Sequence, residues 1–397
     1  MTLAVPLRLL RNTPPRLLAK FAWNLGWKGV CAVNAFKRRV ARGEHFPAFV
    51  FISPTNRCNL NCEGCWVTQT RPPVDLPPEV FHRIVEAARR KGSHFFGVLG
   101  GEPLLYPHLF EVLSAYPDCY FQVFTNGTLL TDEVAREMRR LGNVTPLVSV
   151  EGLETESDRR RGSNGVFGGA MRALAACREW GLITGVATSV CRSNYDEVVT
   201  PDFIDRVADR GAAYLWYYIY RPAGEQPSPE QALDEARILE LRSFLVNQRL
   251  KAPLILVDAY WDADGQALCP AATGISHHVN PHGDIEPCPP IQFANDNVGA
   301  DADVAEKFDN SGFLREFRDV AATRTRGCVL LEDPQAVAAW ARQCGARNTS
   351  GRPDMPRQMA GMQPCPGHHL PGREIPERSL LYRFAKRHWF FGFGAYG

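Results

Sequence analysis

Three cysteines in the segment CNLNCEGCW have the spacing of a metal site. Cys58, Cys62 and Cys65 form the pattern C-x3-C-x2-C. Thiolates are soft ligands that suit zinc, copper and iron–sulfur clusters. A structural zinc site closes four ligands, usually as two C-x2-C pairs. The sequence has no second pair, and the nearest histidine, His82, falls in a predicted helix. Three thiolates instead suit a [4Fe–4S] cluster whose fourth iron stays open to another ligand.

The composition places these cysteines in a globular protein. The chain has 397 residues, of which 45% are hydrophobic and 22% charged, enough for one large domain and a smaller one. A net charge of +2 does not indicate a nucleic-acid partner, and none is expected. The twelve cysteines are unevenly spread and no signal peptide is visible, which predicts a reducing cytoplasm and metal ligands rather than disulfides. No apolar run reaches the roughly 18 residues that span a bilayer.

An alternation of apolar, β-branched runs with helix-like stretches begins near residue 47. It predicts an α/β fold, a partial (β/α)6 TIM-like barrel around a parallel sheet. Ligands bind such sheets at the carboxyl ends of the strands, where the cysteine loop, GGEP, TNG and SVEG all fall. The predicted strands are 48–55, 94–100, 120–126, 146–152, 182–190 and 214–220, and the predicted helices are 77–92, 106–116, 131–141, 165–180, 197–210 and 228–251.

The alternation divides the chain into four predicted parts. Residues 1–46 form a basic, amphipathic helical extension, and residues 47–252 form the barrel core. Residues 253–345 form a small loop-rich module, and residues 346–397 form an irregular tail that is basic and aromatic.

The extension leaves two interpretations open. A helix from Thr13-Pro14 to about residue 42 would carry basic side chains opposite an apolar stripe. Either the stripe packs on the barrel, or the helix rests on an anionic membrane surface, which would place the protein at the inner face of a membrane. The stripe consists of Leu18, Phe21, Leu25, Ala32 and Phe36.

Two motifs together resemble those of a known family, the radical SAM enzymes. The cysteine pattern followed by Trp66 is similar to that family's cluster loop, and GGEP at 100–103 is similar to its SAM-binding strand end. The resemblance covers about residues 47–250. It implies that S-adenosylmethionine (SAM) chelates the open iron through its amino and carboxylate groups. An electron from the cluster would then cleave SAM to a 5′-deoxyadenosyl radical, which abstracts hydrogen from an unactivated carbon. It also implies a reducing partner such as flavodoxin or ferredoxin.

The resemblance assigns GGEP to cofactor binding. Gly100 and Gly101 would let the backbone approach SAM closely, because neither carries a Cβ atom. Glu102 is a candidate acceptor for the amino group of SAM, a role that backbone carbonyls could also fill. Pro103 would start the next helix, and a tight turn before that helix is the better explanation of the motif taken by itself.

Three further residues match family positions that contact SAM. Ser149 and Glu151 match residues that contact the ribose, and Arg161 matches an arginine that pairs with the carboxylate. Alternatively, Glu151 caps the next helix and the arginine run is a solvated face. Thr125 and Asn126 are expected to line the same cavity, and no residue is assigned a catalytic role.

A second set of cysteines follows the barrel. Cys269 and Cys288 form C-x13-G-x4-C, which resembles the opening of the SPASM and Twitch auxiliary-cluster modules. Cys328 is the expected third ligand of an auxiliary [4Fe–4S] cluster. Its fourth ligand stays open between Cys344, Cys365, a non-cysteine residue and the substrate itself, with Cys344 retained as a candidate ligand.

The rest of the SPASM pattern is missing. No C-x2-C-x5-C-x3-C run occurs, so one auxiliary cluster is expected rather than two. Residues 276–288 predict a short hairpin with its turn at 281–284. Its histidines, His277, His278 and His282, either lie near the cluster ligands or the substrate or are exposed turn residues, and exposed turn residues are the commoner case.

The sequence therefore predicts a radical SAM enzyme. The basic and aromatic ends favour a lipid-like or membrane-associated small molecule as substrate. A peptide-modifying maturase is the alternative, although the helical character of residues 1–46 does not suit a stranded leader-binding domain. A non-catalytic iron–sulfur electron carrier is the third hypothesis, and it leaves GGEP and SVEG without a role.

Overall fold

The computed structural model describes residues 4–299 and 303–389, so the aromatic segment 390–397 of the predicted tail lies outside the described residues. Within those ranges a nine-stranded sheet dominates the structure, and a two-stranded sheet accompanies it. The larger sheet contains β1 (Phe49–Ile52), β2 (Phe95–Val98), β3 (Tyr120–Thr125), β4 (Val144–Ser149), β5 (Gly185–Val190), β6 (Tyr214–Ile219), β7 (Ile255–Val257), β8 (Ser276–Val279) and β9 (Ile285–Glu286), and the smaller one contains β10 (Phe293–Ala294) and β11 (Arg347–Asn348).

The large sheet has the topology of an open barrel. Its strand order is β7-β6-β5-β4-β3-β2-β1-β8-β9, and β1 to β7 pair in parallel. The predicted α/β partial barrel is confirmed. Two strands were not predicted at the barrel's edges. β7 is only three residues long, and β8 comes from the C-terminal module to pair in parallel with β1.

Helices follow the strands along the described chain. They are α1 (Ala4–Asn12), α2 (Pro15–Lys20), α3 (Lys28–Val40), α4 (Pro78–Arg90), α5 (Leu109–Ala115), α6 (Asp132–Leu141), α7 (Glu154–Arg161), α8 (Val166–Glu179), α9 (Tyr195–Val198), α10 (Pro201–Asp209), α11 (Glu235–Gln248), α12 (Pro270–Thr273), α13 (Val304–Asp309), α14 (Gly312–Arg324), α15 (Val329–Glu332), α16 (Pro334–Gln343), α17 (Met355–Gly361) and α18 (Leu380–His388).

Local capping explains two departures from the predicted helices. The predicted helix 197–210 is divided, because the Thr200 hydroxyl accepts a hydrogen bond from the Phe203 amide and Pro201 begins a new helix. The predicted helix 228–251 is shorter, because the Asp234 carboxylate caps α11 by accepting from the Arg237 amide at 2.9 Å.

The N-terminal extension closes one end of the barrel. The predicted helix from Thr13-Pro14 to about residue 42 corresponds to α2, a π-helical segment, Phe21–Trp27, and α3, and α1 is an additional helix before it. Leu25, Ala32 and Phe36 are buried in one cluster with the barrel residues Phe49, Phe95, Tyr120 and Trp216. The packing interpretation therefore describes this part of the stripe.

The basic side chains of the extension also bond to the barrel. Arg16 donates to the carbonyls of Arg139 and Arg140 at 2.7 and 3.0 Å, and Lys20 donates to the carbonyl of Leu141 at 2.8 Å. These carbonyls end α6, where the helix dipole is negative and the carbonyls lack intrahelical partners. Arg8 and Arg39 contact the ends of α10 and α4 in the same way. Several basic side chains of the extension thus bind the barrel of the same chain.

The predicted irregular tail contains regular elements. β11, α17 and α18 all lie in it. Lys386 of α18 donates to the buried Asp258 carboxylate at 3.1 Å, and Arg249 bonds both Asp258 and Glu377. These ion pairs hold the tail to the barrel edge beyond β7. None of the described helices is long and apolar enough to cross a bilayer.

Candidate functional site

The cysteine loop leaves the carboxyl end of β1, and GGEP lies directly on it. The Gly101 amide donates to the Thr55 carbonyl at 3.0 Å, and the Glu102 amide donates to the Arg57 carbonyl at 2.7 Å. A Cβ atom on Gly101 would lie 2.1 Å from the Arg57 carbonyl oxygen, and Gly100 has a φ of 131°. Only glycine lets the two loops approach this closely.

Glu102 fixes a third loop to the same place. Its carboxylate is fully buried and accepts from the Thr125 hydroxyl at 2.8 Å, the Asn126 amide at 2.8 Å and the Leu104 amide at 3.2 Å. Burial raises the pKa of Glu102 to about 6, against the lowering effect of these donors. The structure thus places Glu102 behind the loops, so its predicted contact with SAM is not supported by its position. Pro103 is buried beside it and starts a short 3-10 helix, Pro103–Leu105.

The arginine run of α7 lies against the other side of the cysteine loop. Arg161 pairs with the Glu151 carboxylate and donates to the Cys62 thiol at 3.8 Å. Arg160 donates to the same carboxylate at 2.9 Å, and the Ser189 amide donates to it at 2.9 Å. Glu151 therefore holds two arginines rather than capping a helix, and Arg160 and Arg161 do not form a solvated face.

The segment after β6, Tyr220–Gly224, covers the cysteine loop. A Cβ atom on Gly224 would lie 1.8 Å from the Cys65 carbonyl oxygen, and one on Gly64 would lie 2.2 Å from the Tyr220 hydroxyl. The guanidinium of Arg160 lies 5.5 Å from the centroid of the Tyr220 ring. Close packing from four sides therefore fixes the conformation of this loop.

Two cavities meet at the cysteine loop. The rim cavity, of about 870 Å³, contains most of the predicted SAM-site residues in its lining: Cys58, Cys62, Cys65, Gly100, Gly101, Thr125, Asn126, Ser149 and Arg161. The central cavity, of about 380 Å³, shares Cys62, Cys65, Ser149 and Arg161 with it. The central cavity is walled by the aromatic side chains of Phe51, Trp66, Phe124, Trp216, Tyr218 and Tyr260.

The central cavity also reaches three cysteines of the C-terminal module. Cys269, Cys288 and Cys328 all line it. Cys269 and Cys328 directly precede the short helices α12 and α15, whose first amides are not bonded within the helix. Burial raises the pKa of the Cys269 thiol to about 11, with the neighbouring Cys328 thiol adding to it. Burial raises the pKa of Cys288 well above its usual value, with both other thiols contributing.

The remaining candidates for a fourth ligand lie elsewhere. Cys344 follows the last residue of α16, and its thiol donates to the Ala341 carbonyl at 3.6 Å. The Cys365 thiol donates to the Gln363 carbonyl at 3.7 Å. Neither lines the central cavity, so the structure does not bring Cys344 to the other three cysteines.

Two of the hairpin histidines are not exposed turn residues. His277 and His278 are buried in β8, and burial lowers the pKa of His277 to about 3. His278 lies between the Ser53 hydroxyl, at 2.7 Å, and the Glu286 carboxylate, at 2.7 Å. The residue pattern of the hairpin did not indicate that the side chains on both of its faces are buried.

Comparison with known proteins agrees with this geometry. Residues 52–200 match the family model of the Radical SAM superfamily. The chain carries a radical SAM domain. Superfamily members use a [4Fe–4S] cluster, which the cysteine spacing predicted, and SAM, which the resemblance implied.

Curated relatives of the chain include maturation and synthase enzymes. It is 28% identical over 200 residues to the sporulation killing factor maturation protein SkfB of Bacillus subtilis, covering 50% of this chain and 47% of that protein. It is 28% identical over 221 residues to the Fe-coproporphyrin III synthase of Methanosarcina barkeri, covering 52% and 55%. The match thus spans about half the length of each relative.

The fold is similar to that of solved radical SAM structures. The crystal structure of Streptococcus suis SuiB bound to precursor peptide SuiA superimposes with a TM-score of 0.61 at 16% identity, covering 75% of this chain and 72% of that one. At this identity the likeness shows a shared fold.

The residues at the cysteine loop fit the cofactors of the superfamily. Cys58, Cys62 and Cys65 are free thiols, the ligand type that iron–sulfur clusters require. Burial raises the pKa of Cys58 to about 11 and that of Cys65 to about 12, so both thiols would lose protons on binding metal. The Nε atom of Arg161 is buried with no hydrogen-bond partner in the described part of the chain. That donor points to an acceptor still to be supplied by a ligand.

Sequence reasoning missed one residue at the site. Arg221 directly follows the end of β6 and lines the central cavity. Its Nε donates to the Cys328 thiol at 3.2 Å. The feature that could have identified Arg221 is its position directly after a strand, which also singled out the other motifs.

Proposed function

We propose that this protein is a radical SAM enzyme with one auxiliary iron–sulfur cluster, and that it modifies a peptide. The carrying observation is the central cavity, whose lining includes Cys62 and Cys65 of the first set of cysteines and all three of the second set, Cys269, Cys288 and Cys328. A substrate in this cavity contacts both sites. A simple electron carrier has no need for a cavity between its clusters.

The rim cavity is proposed as the SAM site. Bound at Cys58, Cys62 and Cys65, the cluster and SAM supply abstraction of a hydrogen atom from carbon. The backbone of Gly100 and Gly101 forms one wall of this site, and the unpartnered Nε of Arg161 offers a donor to the SAM carboxylate.

The central cavity is proposed as the substrate site. Its aromatic walls exclude water, which protects reactive species from side reactions. They also favour an apolar substrate group, and a volume of about 380 Å³ lies in the range of ligand pockets. The fourth ligand of the auxiliary cluster then comes from a non-cysteine group or from the substrate, because Cys344 and Cys365 lie outside the cavity.

A peptide is the proposed substrate because of the named relatives. SkfB is a maturation protein, and SuiB has been solved with a precursor peptide. The extension of this chain forms α1 to α3 and closes the barrel, so a leader peptide would be bound by another surface or another protein.

A lipid-like substrate near a membrane is the second candidate. Exposed apolar side chains on the terminal helices favour it, since Trp23 and Trp27 are each 58% exposed and Leu380 is 83% exposed. Trp389 of the C-terminal segment donates to the Leu25 carbonyl at 2.7 Å, which brings the two terminal segments together. The tetrapyrrole chemistry in the name of the second relative is a third possibility for the test below.

The enzymatic assignment is tested by removing the first set of thiols. In protein reconstituted anaerobically with iron and sulfide and then reduced, we expect 5′-deoxyadenosine to form from SAM. The triple variant Cys58→Ala, Cys62→Ala, Cys65→Ala should form none and should lose about half of its iron, because one of two four-iron clusters is gone. The variant Cys31→Ala, which removes an exposed thiol of α3, is the control. Undiminished 5′-deoxyadenosine from the triple variant would refute the assignment.

The substrate class is tested by following hydrogen. Cells grown on deuterated medium supply a peptide fraction, a lipid extract and a porphyrin extract, each incubated with the reduced enzyme and SAM. Deuterium should enter 5′-deoxyadenosine from the peptide fraction. Transfer from the lipid or the porphyrin extract alone would replace the peptide with that class.

A further inference from the structure

The two sets of cysteines each have an arginine, but the arginines differ in their partners. Arg161 donates to the Cys62 thiol and shares the Glu151 carboxylate with Arg160. Arg221 donates to the Cys328 thiol and, at 3.5 Å, to the Tyr260 hydroxyl. Within residues 4–299 and 303–389, Arg221 forms no ion pair with a carboxylate.

Arg221 is held firmly where it stands. It directly follows β6, and the Ile219 amide at the end of that strand donates to the Tyr260 hydroxyl at 2.9 Å. Its guanidinium lies 5.5 Å from the centroid of the Tyr260 ring. Further along the same segment, Gly224 lies against the Cys65 carbonyl. One short segment therefore contacts both cysteine sites.

The charge of Arg221 lies beside the second set of thiols. Its Nε donates to Cys328, and Cys269 and Cys288 line the same cavity as Arg221. The cavity wall around it is largely aromatic, so solvent screens this charge weakly. A cation near an iron–sulfur cluster stabilises its reduced, more negative state, and hydrogen bonds to the ligand sulfurs act in the same direction.

We propose that Arg221 is a positioning residue of the auxiliary site whose charge raises the reduction potential of the cluster bound by Cys269, Cys288 and Cys328. The inference rests on the proposed auxiliary cluster. The surroundings of the two arginines differ: a carboxylate pairs with Arg161, and none in the described residues pairs with Arg221.

The test isolates the auxiliary cluster in the full chain. The triple variant Cys58→Ala, Cys62→Ala, Cys65→Ala is reconstituted with iron and titrated with reductant while electron paramagnetic resonance follows the reduced cluster. Adding Arg221→Gln should raise the ratio of oxidised to reduced cluster at least tenfold at a fixed solution potential. This change corresponds to a fall of about 59 mV in the reduction potential of a one-electron cluster. Arg221→Lys, which keeps the charge, should stay within threefold of the parent.

Arg326→Gln is the matched control. Arg326 lies two residues before Cys328, but its side chain is 43% exposed and 4.0 Å from the Asp262 carboxylate. Solvent and this carboxylate screen its charge, so its removal should leave the titration unchanged. A titration of Arg221→Gln that coincides with the parent would overturn the inference.

Failure of a variant to assemble the cluster also has a defined meaning. Absence of any cluster in the parent triple variant would refute the auxiliary cluster itself rather than the role of Arg221. If Arg221→Gln does not assemble a cluster, Ala223→Glu keeps Arg221 and adds a carboxylate to the same cavity wall. That variant should lower the potential in the same direction, and an unchanged potential would again overturn the inference.

Discussion

At the residue scale, the chemistry of the site depends on how little freedom its loops have. Gly101 permits a contact that any Cβ atom would prevent, and Glu102 ties GGEP to the loop that follows β3. The cysteine pattern could be predicted to bind metal because its residues are close together in the sequence. The role of Glu102 could not be predicted, because its partners Thr125 and Asn126 lie 23 and 24 residues further on.

The buried carboxyl of Glu102 predicts a pH dependence. Its folded pKa of about 6 lies above the ordinary value of 4.5, so the folded state binds its proton more tightly than the unfolded state. Its contribution to stability is complete below pH 4.5 and is lost as pH rises through 6. Relative to Glu102→Gln, the wild-type free energy of unfolding should therefore fall by about 2 kcal/mol through this window.

Thermal unfolding at a series of pH values measures this difference. Glu230→Gln, at an exposed position, is the control and should parallel the wild type throughout. If Glu102→Gln also parallels the wild type, the carboxyl is not a buried titrating group.

At the element scale, the strands were more predictable than the helices that close the molecule. All six predicted strands exist, because apolar runs covered on both faces give a strong signal. β7 was missed because it is short. The hairpin of β8 and β9 was predicted, but the parallel pairing of β8 with β1 was not, because it joins residues far apart in the sequence. α18 was missed because its place depends on Asp258, far away in sequence.

The docking of α18 gives the testable prediction at this scale. Burial alone would raise the pKa of Asp258, but Lys386, Arg249 and Arg242 hold it well below its usual range. Asp258→Asn would leave these buried cations with Glu377 alone. The expected loss is about 3 to 5 kcal/mol in the free energy of unfolding.

Asp264→Asn is the matched control for Asp258→Asn. Asp264 pairs with Arg383 and Arg387 of the same helix, but its side chain is 59% exposed. Its loss should cost less than about 1 kcal/mol. Equal losses of melting temperature in the two variants would contradict the central role of the buried network.

At the scale of the whole molecule, the extension is the closure of the barrel. The amphipathic pattern alone could not decide between a membrane and a protein surface, because both accept an apolar stripe with basic neighbours. The deciding features are distant: carbonyls at helix ends and the aromatic cluster inside the barrel. The predicted membrane contact now depends on exposed side chains such as Trp23 and Trp27.

Deletion of residues 1–46 should therefore disrupt the barrel. It would expose Phe49, Phe95 and Tyr120, which are each 2% exposed in the intact chain. We expect aggregation or loss of cooperative melting, as seen by circular dichroism and size-exclusion chromatography. The double variant Trp23→Ser, Trp27→Ser should remain folded, since both side chains face solvent. A monomeric deletion variant that melts cooperatively would show that the barrel does not need this closure.

The hydrogen bonds of the extension also have a consequence for folding during synthesis. Arg8 is translated well before its acceptor at Ala208, 200 residues later, although the two end in contact. At 5 to 20 residues per second, about 10 to 40 s separate their synthesis. During that interval Leu25, Ala32 and Phe36 have no barrel to enter. The nascent chain should therefore engage a chaperone early and release it once the strands have gathered.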